Sequence, residues 1–165
     1  MKKALITGGA GFIGTHLAHR LQQEGWHVIL CDFEHRFTNE LRKSFETVGC
    51  DISKKTHVEV LPQCDVIYHL AGQVGTLGSL KDPKKDLEWN ALGTLNISTF
   101  SKVLGAKTIV YASTMAIYGN SDAAREEEVP RPLSPYGITK LCGEHYVNYA
   151  AINSNLRAIT LRLFN

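Results

Sequence analysis

Short apolar runs and amphipathic stretches alternate along the whole chain. The apolar runs predict β-strands near residues 3–7, 26–32, 47–50, 65–70, 107–113 and 157–163. Between them, hydrophobic residues recur at helical spacing and predict helices near residues 12–24, 54–61, 82–103 and 136–153. Strands that alternate with helices indicate an α/β fold, with a doubly wound parallel sheet and helices on both of its faces.

Two segments depart from this alternation. Residues 33–46 have no clear period and predict at most a short helix in a variable crossover. Residues 114–135 contain the acidic run 125–128 and several prolines, which is too much proline and charge for a core element. We expect this second segment to be a mobile loop over an active site, although a solvated connector explains the acidic run equally well.

A glycine-rich turn follows the first predicted strand and leads directly into a helix. Gly8, Gly11 and Gly14 recur every third residue, which permits the turn, lets a pyrophosphate approach the backbone and lets the helix pack on the strand. The N-terminus of the helix then faces the phosphates. This G-x-x-G-x-x-G spacing differs from the commonest dinucleotide fingerprint, so a purely structural loop remains an alternative.

The second predicted strand ends in an acid, Asp32, which lies 18 residues beyond Gly14. A carboxylate at this position accepts hydrogen bonds from the ribose hydroxyls of adenosine and repels the 2′-phosphate of NADP. The pattern therefore favours NAD. Arg36 is close enough in sequence to weaken that distinction, and its alternative role is that of an exposed loop charge.

A tyrosine and a lysine stand four residues apart at the start of the last predicted helix. Tyr136 and Lys140 share one helix face at a separation of about 6 Å. A lysine ammonium near an oxidised nicotinamide favours the phenolate and lowers the pKa of the tyrosine. Such a phenol is a base for a hydroxyl proton. The same spacing also occurs in surface pairs, so it gains weight only with the glycine turn.

Together these motifs resemble the extended short-chain dehydrogenase/reductase family, in particular its NAD-dependent nucleotide-sugar epimerase/dehydratase branch. The resemblance covers all 165 residues. It implies a Rossmann-type NAD-binding domain over residues 1–165 that carries the catalytic tyrosine and lysine. Relatives continue with a substrate domain of roughly equal length. We expect that domain to be absent here, and this one to bind NAD but to turn over nucleotide sugars poorly.

The resemblance also implies which residues form the site. The catalytic residues are Thr114, Tyr136 and Lys140, and Thr114 with Asn165 would contact the nucleotide sugar, most simply a UDP-sugar. The implied cofactor residues are Gly8, Gly11, Phe12, Ile13, Gly14, Asp32, Asp51, Ile52, Leu70, Ala71, Gly72, Asn90, Ser113, Tyr136 and Lys140. Among these, Asn90 and Ser113 are expected to support the site structurally.

The residues after Thr114 distinguish between reactions. Dehydratase relatives continue with an Asp-Glu pair and decarboxylating relatives carry a Glu, whereas this chain has Met115 and Ala116. Because neither side chain exchanges a proton, epimerisation through a transient keto sugar is favoured. In the implied reaction Tyr136 exchanges the hydroxyl proton, Lys140 binds the nicotinamide ribose and Thr114 holds the sugar oxygen. A dehydratase or another oxidoreductase of the same family remains the alternative.

Two alternatives belong to other functional classes. The chain could be a non-catalytic NAD-binding module, or mainly an interaction unit, since relatives dimerise through the helices that match 82–103 and 136–153. His69, at a predicted strand end, could be taken for an acid or base. We expect instead a packed, hydrogen-bonded histidine, because Tyr136 already supplies that chemistry.

Composition agrees with a globular cytoplasmic domain. The chain is 44% hydrophobic and 21% charged, and its net charge of +2 gives no reason to invoke nucleic acid. No apolar stretch approaches the roughly 18 residues that cross a membrane. The four cysteines lack metal-ligand spacing, so we expect reduced thiols and no metal.

Overall fold

One parallel sheet of six strands forms the centre of the computed structural model, which describes residues 1–121 and 124–164. The strands are β1 (Lys3–Thr7), β2 (His27–Asp32), β3 (Glu46–Gly49), β4 (Val66–His69), β5 (Thr108–Thr114) and β6 (Arg157–Leu163). They lie in the order β3-β2-β1-β4-β5-β6, and all neighbours are parallel. This is the strand order of the Rossmann fold, so the predicted fold class is confirmed.

Helices connect the strands. In the described residues they are α1 (Phe12–Gln23), α2 (Asn39–Ser44), α3 (Lys55–Val58), α4 (Thr76–Lys81), α5 (Pro83–Asp86), α6 (Gly93–Phe100) and α7 (Pro135–Asn153). Shorter turns occur as 3₁₀ helix at Glu34–Arg36 and Met115–Tyr118, and as π-helix at Leu87–Leu92. The short helix expected within residues 33–46 is α2, whose start is capped by Thr38: its hydroxyl accepts from the Leu41 amide at 3.3 Å.

The helix predicted over 82–103 is not continuous. Asp82 caps its start by accepting from the Lys85 amide at 3.0 Å, but a π-helical turn separates α5 from α6. That wider turn directs Asn90 into the interior, and Gly93 then packs against Ile52, where a Cβ would come within 2.6 Å of the Ile52 side chain. Tertiary contacts thus override the regular period that the sequence suggests.

Two other helices differ from prediction. The helix expected at 54–61 is only the single turn α3, which has no side-chain cap at its N-terminus. Helix α4 was not predicted, because Gly75 and Gly78 make that segment resemble a turn. Gly75 indeed has a φ of +91° immediately before α4 begins.

The sheet is buried on both faces, as a doubly wound fold requires. In β1, Leu5 points into one core with residues of α6 and α7, whereas Ala4 and Ile6 point into the other with residues of α1 and α2. Chain order reverses between β1 and β4, so their carboxyl ends diverge into a crevice at the switch point. In the part of the chain that the structure describes, no helix is long and apolar enough to span a membrane.

The proline-rich segment before α7 contains the 3₁₀ turn Met115–Tyr118 at its start. Its described residues beyond that turn form neither helix nor strand. Arg162 of β6 donates to the carbonyl of Glu126 at 2.9 Å, and the Ser121 hydroxyl donates to Glu128 at 2.9 Å. These contacts attach the segment to the sheet edge, and its mobility stays a prediction.

Candidate active site

A cavity of about 380 Å³ occupies the crevice at the carboxyl ends of β1, β2 and β4. We call it the switch-point cleft. Most of the predicted cofactor residues line it: Gly8, Gly11, Phe12, Ile13, Gly14, Asp32, Ile52, Leu70, Ala71 and Gly72. Residues from four separate parts of the sequence therefore meet in one concave surface.

Glycine is required at the β1–α1 turn because the backbone packs against its neighbours. Gly8 has a φ of +72°, and a Cβ there would come within 2.8 Å of the Ala71 amide nitrogen. A Cβ at Gly14 would overlap the carbonyl oxygen of Gly8. The N-cap residue of α1, Gly11, provides no side-chain cap, so the first amides of the helix stay available to an anion. This arrangement suits the pyrophosphate of a dinucleotide.

Asp32 is held at the mouth of the cleft by backbone donors. Its carboxylate accepts from the amides of Ala10 at 3.1 Å and Phe33 at 2.8 Å. Arg36 lies beside it, with Nη1 3.7 Å from Oδ1, and also lines the cleft. Arg36 is thus part of this site, and it partly offsets the negative charge that favours NAD over NADP.

Sequence reasoning missed an aromatic wall of the cleft. The rings of Phe33 and Trp89 lie with their centroids 5.3 Å apart, and both line the cleft. The Lys85 ammonium sits 4.4 Å from the centroid of the Trp89 ring. In the sequence, only the position of Trp89 directly before the predicted residue Asn90 pointed to this wall. The direction of the Trp89 side chain depends on the π-helical turn, which the sequence did not predict. The cleft is also lined by Cys31, Cys50, Val74 and Ala112.

Five predicted cofactor residues do not line the cleft: Tyr136 and Lys140, which belong to α7, and Asp51, Asn90 and Ser113. The Asp51 carboxylate instead accepts from the amide of Ser53 at 3.0 Å and from its hydroxyl at 2.7 Å. On β5 it is Ala112 that lines the cleft, while the neighbouring Ser113 is buried. Asn90 is fully buried, and its side-chain oxygen accepts from the Gln73 amide at 2.8 Å. The predicted substrate residue Asn165 lies outside the described residues.

The predicted catalytic residues come together where β5 ends and α7 begins. Ser134 caps α7 by accepting from the Gly137 amide at 3.1 Å, which places Tyr136 in the first turn. A Cβ at Gly137 would come within 2.6 Å of the Ala116 carbonyl, so the helix start packs closely on the turn after β5. Thr114 and Tyr136 consequently flank this close contact, and a hydrogen bond with the Thr114 hydroxyl is one of the influences on the pKa of the Tyr136 phenol. The structure therefore brings Thr114 to Tyr136, as predicted.

The electrostatics of the pair differ from the expectation. Burial raises the pKa of Tyr136 above its ordinary value, and the hydrogen bond with Thr114 only partly opposes this rise. Burial also lowers the pKa of Lys140 to about 7, against the charges of Asp86 and Glu144. The expected lowering of the Tyr136 pKa is therefore wrong for the chain by itself. For both residues, loss of hydration is the largest influence on the pKa. The Lys140 ammonium lies 4.3 Å from the centroid of the Tyr111 ring.

His69 is a packed histidine, as predicted. It is fully buried at the end of β4, with Nδ1 2.7 Å from the Thr7 hydroxyl and Nε2 2.9 Å from the Thr94 hydroxyl. The Thr94 hydroxyl donates to the Asn90 carbonyl, so Nε2 carries the imidazole proton. Burial lowers the pKa of His69 to about 3, which leaves the ring neutral.

A Rossmann sheet with a glycine turn at its switch point and a tyrosine–lysine pair beside it defines a dinucleotide-binding domain of the oxidoreductase type. The model of the NAD dependent epimerase/dehydratase family matches residues 4–165, and the chain belongs to that family. The predicted family and its dependence on NAD are thereby confirmed.

Curated relatives of the chain include epimerases and a decarboxylase. It is 35% identical over 149 residues to a putative UDP-glucose 4-epimerase of Methanocaldococcus jannaschii, covering 87% of this chain and 49% of that protein. It is 35% identical over 145 residues to UDP-glucuronic acid decarboxylase 1 of Xenopus tropicalis, covering 82% of this chain and 33% of that protein. The chain thus spans about half, or less, of the length of these relatives.

Two solved structures support the same relationship. The UDP-glucose 4-epimerase of Thermotoga maritima with UDP-glucose superposes with a TM-score of 0.88 at 33% identity, covering 97% of this chain and 54% of that chain. The UDP-Glc/GlcNAc 4-epimerase of Campylobacter jejuni gives a TM-score of 0.92 at 25% identity, covering 100% and 54%. The described fold therefore matches about half of each of these two chains.

Proposed function

We propose that this chain is the cofactor-binding and catalytic half of an NAD-dependent nucleotide-sugar epimerase. The observation that carries the proposal is the packing of the start of α7 on the turn after β5: Gly137 abuts the Ala116 carbonyl, which brings Tyr136 to the end of β5 at Thr114, one helical turn before the buried Lys140. This group of side chains lies at the carboxyl end of β5. Because the sheet is parallel, this is the same side of the sheet as the switch-point cleft, which lies at the carboxyl ends of β1, β2 and β4.

The cleft suits NAD by its shape and by its donors. The glycine turn and the free amides of α1 would hold the pyrophosphate, and the anchored Asp32 carboxylate would accept from the adenosine ribose. Ile52, Leu70 and Ala71 provide apolar walls. Bound NAD would supply the acceptor and donor of hydride at the sugar carbon. A structure of MoeE5 with UDP-glucose and NAD, 32% identical and with a TM-score of 0.87, supports this use of the fold.

The side chains of the chain would handle the proton and orient the sugar. Tyr136 takes the proton from a sugar hydroxyl and later returns it. Because burial raises the pKa of Tyr136, the phenol holds its proton until positive charge stabilises the phenolate. A charged Lys140 supplies that positive charge, and the Thr114 hydroxyl holds the reacting oxygen. Met115 and Ala116 exchange no proton, which favours epimerisation over dehydration.

The substrate class and the assembly extend this proposal. UDP-sugars are the proposed substrates, because the names of several relatives specify UDP-glucose. We expect a cytoplasmic homodimer formed through α5, α6 and α7. Exposed apolar side chains on α7 and on the π-helical turn between α5 and α6, including Ile152, Leu87 and Leu92, support such an interface.

The test compares two tyrosines of α7. Tyr136→Phe removes the proposed base, whereas Tyr149→Phe removes an equivalent hydroxyl from an exposed position. In the full-length polypeptide, we expect Tyr136→Phe to retain NAD affinity by calorimetry and to lose about 1,000-fold or more in UDP-sugar turnover. Tyr149→Phe should match the unaltered protein. Undiminished turnover in Tyr136→Phe would contradict the proposal.

Decarboxylation is the second candidate, because the similarity to a UDP-glucuronic acid decarboxylase is as high in identity as that to an epimerase. The two reactions differ in their products, since one yields an epimeric sugar nucleotide and the other releases CO₂. Product analysis with UDP-glucuronic acid separates them. Release of CO₂ would replace epimerisation as the proposed activity.

A further inference from the structure

A buried carboxylate that the proposed chemistry does not use contacts the Tyr136–Lys140 turn of α7, which we call the catalytic turn. Asp86, the last residue of α5, is fully buried. It accepts from the Thr139 hydroxyl at 2.5 Å and from the Asn90 side-chain amide at 3.1 Å. Buried carboxylates are costly unless their hydrogen bonds and charge are compensated, so the position calls for a specific role.

The hydrogen bonds of Asp86 connect both sides of the site. Thr139 lies between Tyr136 and Lys140 in α7, and its hydroxyl oxygen also lies 3.2 Å from the Asn90 amide nitrogen. The Asn90 oxygen accepts from the amide of Gln73, directly after the cleft residue Gly72. One carboxylate therefore anchors the catalytic turn of α7 and, through Asn90, the turn after β4 that lines the cleft.

Asp86 also belongs to the charged surroundings of Lys140. The groups that act on or face this ammonium are Asp86 from α5, Glu144 from α7, His69 from β4 and Tyr111 from β5.

Of these groups, only Asp86 offers Lys140 a negative charge that is not already paired with a different cation. Glu144 is already paired, since its two carboxylate oxygens accept from Arg162 at 3.1 and 2.9 Å. His69 is neutral, and burial raises the pKa of Tyr111, so that phenol is neutral as well. Across the described residues, Asp86 forms no salt bridge within 4.0 Å, which leaves its charge to act on Lys140.

The ionisation of Asp86 is itself balanced. Burial raises its pKa, while the hydrogen bonds from Thr139 and Asn90 and the charge of Lys140 oppose the rise. Each of the three therefore favours the charged carboxylate that Lys140 requires.

We propose that Asp86 is a positioning residue, which holds the Tyr136–Lys140 turn against the cleft wall and keeps Lys140 protonated by its negative charge. The part of this inference that concerns the cofactor rests on the proposed function. The part that concerns Lys140 does not require NAD. The two parts are therefore tested by separate measurements.

The first measurement is the titration of the Lys140 side chain by NMR in the free chain. Asp86→Asn keeps the size of the side chain and removes its charge, and we expect it to lower the pKa of Lys140 by roughly one unit. The matched control is Asp82→Asn, which removes a charge four residues earlier but keeps a capping side chain. It should shift the pKa by less than about 0.2 unit. An equal pKa in Asp86→Asn and the unaltered chain would overturn the proposal.

The second measurement is NAD affinity as a function of pH. Because the protonated Lys140 would bind the cofactor, affinity should fall as pH rises through its pKa, and the midpoint should move to lower pH in Asp86→Asn. Thr139→Val removes the hydrogen bond but keeps the carboxylate, so it should weaken NAD binding about fivefold. Unchanged affinity in Thr139→Val would overturn the positioning role, and this variant carries the test if Asp86→Asn does not fold.

The outcomes separate the inference from the proposed function. If the unaltered chain fails to bind NAD at any pH, the proposed function fails, while the NMR titration still decides whether Asp86 controls Lys140. If the unaltered chain binds NAD but the midpoint of Asp86→Asn is unshifted, the inference fails and the proposed function stands.

Discussion

The wall of the cleft at the ends of β1 and β2, which we call the dinucleotide wall, consists mainly of glycine and backbone amides. The catalytic wall, at the ends of β4 and β5 and the start of α7, consists of buried polar side chains. Asp86, Asn90, Thr139 and Lys140 are each at most 5% exposed, and the first three hydrogen-bond to one another. The dinucleotide wall depends on the lack of side chains at its glycines, and the catalytic wall depends on hydrogen bonds that compensate its buried charges.

This difference determines how each wall should respond to change. Adding atoms to the dinucleotide wall forces backbone apart, which is a steric effect that pH does not alter. Changing the catalytic wall alters which protons are bound, so its effects depend on pH. Four experiments, from the largest expected effect to the smallest, test whether the two walls separate in this way.

The largest effect is expected from Gly8→Ala, compared with Gly25→Ala. Both glycines have similar φ angles, +72° and +80°, but only Gly8 packs against the backbone of Ala71. Gly25→Ala should cost about 1 kcal/mol of unfolding free energy and leave NAD affinity unchanged. Gly8→Ala should cost about 3 kcal/mol and weaken NAD binding about 100-fold or more. Denaturant titration and calorimetry measure both, and equal effects of the two changes would refute the steric account.

Lys140→Met should come next, with exposed Lys43→Met as its control. Removing the ammonium should weaken NAD binding roughly 30-fold. The folded-state pKa of Lys140, about 7, is below its unfolded value, so the unfolded chain binds more protons between pH 7 and about 10. Stability should therefore rise with pH, by about 1 kcal/mol from pH 7 to 8. That rise should vanish in Lys140→Met and persist in Lys43→Met. A slope common to all three proteins would show that Lys140 is not its source.

His69 should give the catalytic wall a second pH dependence, at acid pH. Its folded-state pKa of about 3 is below the unfolded value, so the stability that it contributes is complete above about pH 6.5 and is lost as pH falls toward 3. Between pH 6 and 5 the loss should be about 1 kcal/mol. His69→Gln should flatten this slope, whereas exposed His145→Gln should not. Thermal unfolding across that range measures it; equal slopes in both variants would count against a neutral buried His69.

The smallest effect is expected at Trp89, whose ring lines the cleft beside the catalytic wall. The chain has two tryptophans, and the other, Trp26, lies near Lys2. In Trp26→Phe, the tryptophan fluorescence comes from Trp89 alone, and its intensity should change when NAD binds. Trp89→Phe should remove that change and weaken NAD binding about threefold. A signal that survives in Trp89→Phe would place the cofactor elsewhere.

The fold could be predicted because its signals are local. Each strand lies within one residue of its predicted bounds, since continuous apolar runs between turns mark buried parallel strands. The glycine spacing and Asp32 likewise predict the dinucleotide wall from neighbouring residues. Tyr136 and Lys140 were suggested by their spacing, which gained weight from the glycine turn.

The catalytic wall was only partly predictable, because its contacts join distant parts of the chain. Asp86 and Thr139 are 53 residues apart, and no local pattern pairs them. Asp86 does stand four residues before Asn90, which would have placed both on one helix face. The raised pKa of Tyr136 in the chain without cofactor was not predictable for the same reason, since burial depends on the whole fold.

The glycine turn also constrains how this chain can evolve. Every amino acid other than glycine adds a Cβ, and at Gly8 and Gly9 that atom would come within 2.8 Å of neighbouring atoms. Any substitution at these two positions must therefore displace neighbouring atoms, whereas Asp86, Asn90 and Thr139 can change together if their hydrogen bonds and charge are replaced as a set. Among descendants of this sequence, the turn should persist even where catalysis is lost, and the buried polar network should be the part that diverges with the reaction.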